Sequence, residues 1–158
     1  MSPALRALFV EYAADHQHPT NRLLHKFGVP LITFHILAML DWVRLLPLGD
    51  TGLHLSLAWP FAAAVLAWYL RLDARLALGM AVFGVACLLL APFTPAWLVV
   101  AIAVVAWAGQ LVGHGVYEKR SPSLTRNFLQ ILVGPLFVLA LLTGRLRGQA
   151  LDAPAPAV

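Results

Sequence analysis

Charge is scarce in this chain. Of its 158 residues 11% are Asp, Glu, Lys or Arg, while 61% are hydrophobic and the mean hydropathy is +0.81. A water-soluble domain of this size needs a polar exterior, because its surface is large for its volume, so that class is excluded. Cysteine is nearly absent: Cys87 stands alone in an apolar run, which rules out a disulfide or a thiolate metal site within one chain. The net charge of +4 is small, and the basic residues lie beside apolar runs without forming a block interleaved with aromatics. That excludes nucleic acid as a partner and suits membrane topology. The N-terminus also lacks the basic start and apolar core of a cleavable signal, so it is expected to stay in the mature protein.

What remains is a succession of apolar runs. Ser2-Pro3 reads as a helix N-cap followed by proline in the first turn. Leu5, Leu8, Phe9, Tyr12 and His16 then recur at three- to four-residue steps, as on one face of an amphipathic helix. Pro19 ends that helix, and Thr20 or Asn21 can cap the next, which carries Asn21, His25 and Gly28 on one face. Apolar runs follow over 29–48, opened by Pro30 with Asp41 and Arg44 spaced to pair, then over 53–70, over 76–91 and from 96 onward. A turn at Leu48-Gly-Asp-Thr-Gly, a charged connection at Arg71, Asp73 and Arg75, and Pro92-Phe-Thr-Pro95 separate them. Ser121-Pro122 restarts a helix whose last run contains Gly134-Pro135, so it is a kinked span or a segment that dips and returns. The expectation is an all-α integral membrane bundle of four to five transmembrane helices with an N-terminal amphipathic helix. It forms one domain over 1–148, followed by a disordered Ala- and Pro-rich tail over 149–158.

One polar stretch interrupts this pattern, Gln110-Leu-Val-Gly-His114-Gly-Val-Tyr-Glu118-Lys-Arg120. In a continuing helix, Gln110, His114 and Glu118 follow at four-residue intervals and share a face. Ionisable groups at the edge of a membrane segment are costly, and function is the default explanation. In one unbroken helix His16 and His25 point to nearly opposite sides, but a turn at His18-Pro19-Thr20 lets them converge. With a cytoplasmic N-terminus, most basic residues fall inside, and His16, His25, His114 and Glu118 all fall on that same side, with His54 opposite. Imidazole plus carboxylate without thiolate suits iron, zinc or manganese. The paired His-x-x-His-His clusters of di-iron membrane hydroxylases are missing, and a bis-His haem usually draws on histidines within spans that face one another, so a mononuclear site is the better fit. His35, well inside a span, reads as a hydrogen-bonded core histidine.

The motifs Tyr12-x-x-x-His16, Asn21-x-x-x-His25-x-x-Gly28-Val-Pro30, Gln110-x-x-Gly113-His114-x-x-x-Glu118-x-Arg120-x-Pro122, Asn127-x-x-Gln130 and Pro135 resemble, in spacing and order, the yeast-type 2-hydroxy fatty acid dioxygenase family. The resemblance implies an Fe(II)-dependent α-oxidation in a small multi-helix membrane protein. A 2-hydroxy long-chain fatty acid and O2 give the one-carbon-shorter acid and CO2. It implies His16, His25 and His114 as metal ligands, with Glu118 as a fourth ligand or an orienting group. Asn21 and Gln110, one turn before His25 and His114, are placed for supporting hydrogen bonds. Arg22, Lys119 or Arg120 could steer the carboxylate. The partners expected are the hydroxy acid, O2 and membrane lipid; association into a homo-oligomer stays open. The Ala-, Leu-, Arg- and Pro-rich composition points to a bacterial inner membrane. The competing class is a metal-handling or transport protein, which needs polar residues through the centres of its spans.

Overall fold

The computed structural model describes residues 1–47, 49, 54–119 and 129–146. Most of the 48–52 turn, Arg120, Ser121-Pro122, Arg126, Asn127 and the 149–158 tail lie outside the described residues. Those described form an all-helical bundle with one small hairpin. Helix α1 (Pro3–Ala14) starts as its sequence requires, with the Ser2 hydroxyl accepting the Leu5 N–H at 3.2 Å. Helix α2 runs from Pro19 to Asp41. Its cap is neither Thr20 nor Asn21 but His18, whose Nδ1 accepts the Thr20 N–H at 3.2 Å. Pro19 therefore opens the helix from its first position, where no N–H is needed.

The helix start expected at Pro30 is absent, and of the two readings of Gly134-Pro135 the helix that continues through the proline is the one present. Pro30 lies inside α2 and Pro135 inside α6 (Leu129–Leu142), so each proline removes one helical hydrogen bond without ending its helix. One element is new: β1 (Arg44–Pro47) pairs antiparallel with β2 (His54–Ser56), with an irregular register between Arg44 and Leu46. Helix α2 therefore ends at Asp41, Arg44 leaves in an exposed strand, and no ion pair joins the two among the described residues. Helices α3 (Ala58–Leu72) and α4 (Ala74–Leu90) are separated by Asp73 alone. Its Oδ1 caps α4 by accepting the N–H groups of Arg75 and Leu76. A 3₁₀ turn (Ala91–Phe93) leads to α5 (Ala96–Val112), which continues through a π-helical turn over Gly113–Glu118.

Among the described residues three helical stretches are long and apolar enough to cross a membrane: Pro19–Asp41, Ala74–Phe93 and Ala96–Glu118. Helix α3, of 15 residues, and α6, of 14, are apolar but shorter. At 1.5 Å per residue they reach about 21–23 Å, against about 30 Å of hydrocarbon. The outer faces of the long helices are greasy, with Phe93 86% and Trp97 70% exposed and Leu78, Val82, Val104 and Val105 alongside. Contiguous exposure of that kind is stable against lipid and not against water.

Helices α1 and α6 lie antiparallel. Phe9 packs edge-on to Phe137 with ring centres 5.3 Å apart, and Tyr12 packs against Gly134. At the other end Arg145 and the Met1 amino group both meet Asp73. This pair occupies a wedge between α2 and α4. The two long helices meet through Leu37 and Ala38 with Leu88 and Ala91, and at their opposite ends α6 stands between them, Gly134 near Val29 and Leu139 against Gly79. The expected fifth span is thus a short helix filling the mouth of a V. A cavity lies in the V behind it.

Candidate metal centre

Three histidines from three segments meet at the mouth of the V. His16 follows the end of α1, where Asp15 and His16 direct their N–H groups back to Tyr12 and Ala13 and turn the chain. His25 stands in the second turn of α2, and His114 opens the π-helical turn. The ring centres are 4.3 Å apart for His16 and His25, 4.8 Å for His16 and His114 and 5.0 Å for His25 and His114. All three are buried, and one donor atom from each lies within 4.8 Å of the others. The convergence that the break before Pro19 made possible is therefore present.

Backbone carbonyls set the ring states. His16 Nδ1 faces the Tyr12 carbonyl at 2.5 Å, and His25 Nδ1 faces the Asn21 carbonyl at 2.9 Å. A carbonyl only accepts, so each Nδ1 carries the proton and each Nε2 presents a lone pair. His16 Nε2 and His114 Nδ1 are buried without a hydrogen-bond partner. Burial disfavours the His16 cation and, helped by His114 and Arg22, outweighs the Tyr12 carbonyl, so its pKa is lowered to about 4. A neutral, buried imidazole with an unused nitrogen is the form that binds a metal. These residues fit such an ion: the donors are all imidazole, and two of them are orphaned. Among the described residues His16, His25 and His114 are the group that could hold a metal.

Glu118 lies one step away. Its Oε1 accepts the Asn21 Nδ2–H at 3.0 Å and the His18 N–H at 2.7 Å, tying the π-helical turn to the α1–α2 connection. Asn21 is fully buried and carries both bonds, its carbonyl to His25 and its side chain to Glu118. His18, which sequence reasoning left aside, also stacks near Tyr117 with ring centres 4.9 Å apart. Helices α2 and α5 approach closely because two glycines interlock. Gly113 sits against the Asn21 side chain and Leu24, and Gly28 against the Gln110 side chain and the Ala106 carbonyl. Gly115, by contrast, faces open space. Gln110 is buried at the cavity wall with its Nε2 unpartnered. Arg22 and Lys119 are exposed.

The cavity, of about 310 Å³, begins at Tyr12, His16, His25, His114, Gln110 and Gln130. It continues along Ile32, Leu37, Ala62, Leu66 and Gly84 as an apolar shaft. From His25 to Leu37 is twelve residues of α2, about 18 Å. With C–C bonds near 1.52 Å at tetrahedral angles an extended alkyl chain rises about 1.25 Å per carbon, so the shaft matches about 14 carbons. Trp107 and Gln130 are wall residues that periodicity could not single out. Gln130 had a motif position as its signal, and Trp107 had none. His35 is a core histidine as expected, its Nδ1 bonded to the Leu31 carbonyl and its Nε2 accepting from Trp107 Nε1, both at 3.2 Å.

No solved structure matches the chain. It is 29% identical over 136 residues to the 2-hydroxy-palmitic acid dioxygenase MPO1 of Saccharomyces cerevisiae, covering 85% of this chain and 77% of that protein. The model of the family described as "2-hydroxy-palmitic acid dioxygenase Mpo1-like" matches residues 3–146, the segment that builds the histidine cluster and its cavity. The chain belongs to the Mpo1-like family.

Proposed function

We propose that this protein is an Fe(II)-dependent dioxygenase that converts a 2-hydroxy long-chain fatty acid and O2 to the acid one carbon shorter and CO2. The observation that carries the reading is a cluster of three buried imidazoles lining one end of a largely apolar cavity. The relative's name, with its 2-hydroxy acid substrate, supports it. The balance is RCH(OH)COOH + O2 → RCOOH + CO2 + H2O. Carbons 1 and 2 together lose four electrons, the number that reduces O2 to the level of water, so the stoichiometry needs no external donor.

His16, His25 and His114 would hold the iron, which when bound supplies the electron transfer to O2 that no side chain can perform. The protein's part is orientation and exclusion of water. The Tyr12 and Asn21 carbonyls keep the imidazole Nδ1 atoms of His16 and His25 protonated and their Nε2 atoms aimed inward. Glu118 acts through Asn21 and the His18 backbone, holding the π-helical turn that carries His114. Gln110, a wall residue, packs its amide on Gly28, with its Nε2–H unpartnered. The shaft takes the alkyl chain and keeps water from the reacting carbons.

In the membrane, Arg6, Arg22, Lys26, Arg71, Arg75 and Lys119 gather at the histidine end, which the positive-inside rule places in the cytoplasm of a bacterial inner membrane. The short α3 and α6 complete the four to five membrane-embedded helices of one catalytic unit over 1–148. The transport alternative expects open polar groups through the span centres, and His35, which stands there, is bonded at both nitrogens, with Asp41 nearer one end. In the decisive experiment, purified protein loaded with Fe(II) is given 2-hydroxypalmitate and air. Pentadecanoate and CO2 should form in equal amounts as O2 is consumed. Failure to shorten any 2-hydroxy acid would sink the reading.

A further inference from the structure

Gln130 is the one polar side chain in α6, a helix otherwise built from Leu, Ile, Val, Phe, Ala, Gly and Pro. It is 3% exposed, and both its Nε2 and its Oε1 are buried with no hydrogen-bond partner. An amide in such a place is expensive, and a native fold keeps it only where something else completes it. It lines the cavity. Its height in the fold follows from the antiparallel packing of α1 on α6. Tyr12 rests on Gly134 and stacks its ring on His16 with centres 4.0 Å apart, and Gln130 precedes Gly134 by one turn of α6, so Tyr12 links the level of Gln130 to that of His16. An unpaired donor and an unpaired acceptor on one rigid amide therefore stand beside the histidine cluster.

We propose that Gln130 seats the substrate head group and selects 2-hydroxy acids over unsubstituted ones. Its Nε2–H donates to a carboxylate oxygen and its Oε1 accepts the 2-hydroxyl proton. A fatty acid without the hydroxyl completes only the first of these bonds and leaves the Oε1 buried and unpaired. Sites built to bond a hydroxyl discriminate strongly against ligands that lack it. The inference rests on the dioxygenase reading for its substrate class, and adds to it the residue that recognises the class.

The test is a binding competition on the full-length protein with its metal, kept free of O2 so that no turnover intervenes. A fluorescent fatty acid is displaced by 2-hydroxypalmitate or by palmitate. Wild type should hold the hydroxy acid at least about tenfold tighter. Gln130→Leu should bring the ratio close to one, with the hydroxy acid losing more affinity than palmitate, and should melt no lower than wild type, because an unpaired buried amide is removed. Gln130→Glu, which loses the donor and adds a carboxylate, should weaken both acids. A preserved ratio in Gln130→Leu, or undiminished binding in Gln130→Glu, overturns the proposal. If the variant with the preserved ratio still shortens 2-hydroxypalmitate in air, only the role of Gln130 falls. If wild type binds neither acid, the dioxygenase reading falls with it.

Discussion

His25 and His35 sit on the same helix ten residues apart, each buried, each with its Nδ1 on the carbonyl four residues before. They differ in what meets the other nitrogen. His35 Nε2 accepts from the Trp107 indole, which closes the ring's hydrogen-bonding capacity. The ring of His25 instead stands 4.3 Å from that of His16 and 5.0 Å from that of His114, centre to centre, and His16 Nε2 and His114 Nδ1 are unpartnered. Burial and backbone bonding therefore do not by themselves mark a candidate metal ligand; convergence with imidazoles that keep an unpartnered nitrogen does.

This contrast can be broken experimentally. The largest effect is expected for the cluster: His16→Ala, His25→Ala and His114→Ala should each lose metal by more than the 10–100-fold typical of removing a mere orienting partner, measured by metal analysis of purified protein. Unchanged metal content in all three would refute the site. Next comes the support beneath it. Glu118→Gln keeps an acceptor but lowers its strength toward the Asn21 and His18 N–H donors, and a drop of about tenfold in metal affinity is expected, read by titration with a chelator.

The shaft supplies a third test. A Cβ at Gly84 would meet nothing within 4 Å, so Gly84→Leu should fold normally and shorten the space for the alkyl tail. Loss of activity on 2-hydroxypalmitate with retention on a 2-hydroxy acid about four carbons shorter is the expected pattern; equal losses at both lengths would show that the far end does not measure the chain. The smallest effect belongs to His35. His35→Phe should leave metal content unchanged and cost about 1–3 kcal/mol through an orphaned Trp107 N–H, seen as a lower melting temperature.

The histidine end and the opposite end of the bundle were not equally legible. Apolar runs announced the helices, since a long stretch without charge has few other structures available in a bilayer. The helix break before Pro19 and the common membrane side of His16, His25 and His114 were likewise readable from proline chemistry and the distribution of basic residues. The hairpin at the other end was not, because Arg44–Pro47 and His54–Ser56 are too short to carry a period and are held only by pairing with each other. Pro30 suggested a helix start and Pro135 a kink or a return, yet packing on both sides carries α2 and α6 through them. Glu118 could be read as ligand or orienter; its Oε1 bonds to Asn21 and His18 appear only when α2 and α5 are docked.

By itself, then, the sequence determined that the chain is a helical membrane protein and which imidazoles could share a site, because periodicity, proline and charge act through neighbours along the chain. Tertiary structure decided which nitrogens stay open, that α6 fills the mouth of a V instead of adding a full span, and that Gln130 stands unpaired beside the cluster. Those outcomes depend on the register between helices far apart in sequence. Gly28 against Gln110, Gly113 against Asn21 and Tyr12 against Gly134 set that register through shape, which no local pattern encodes.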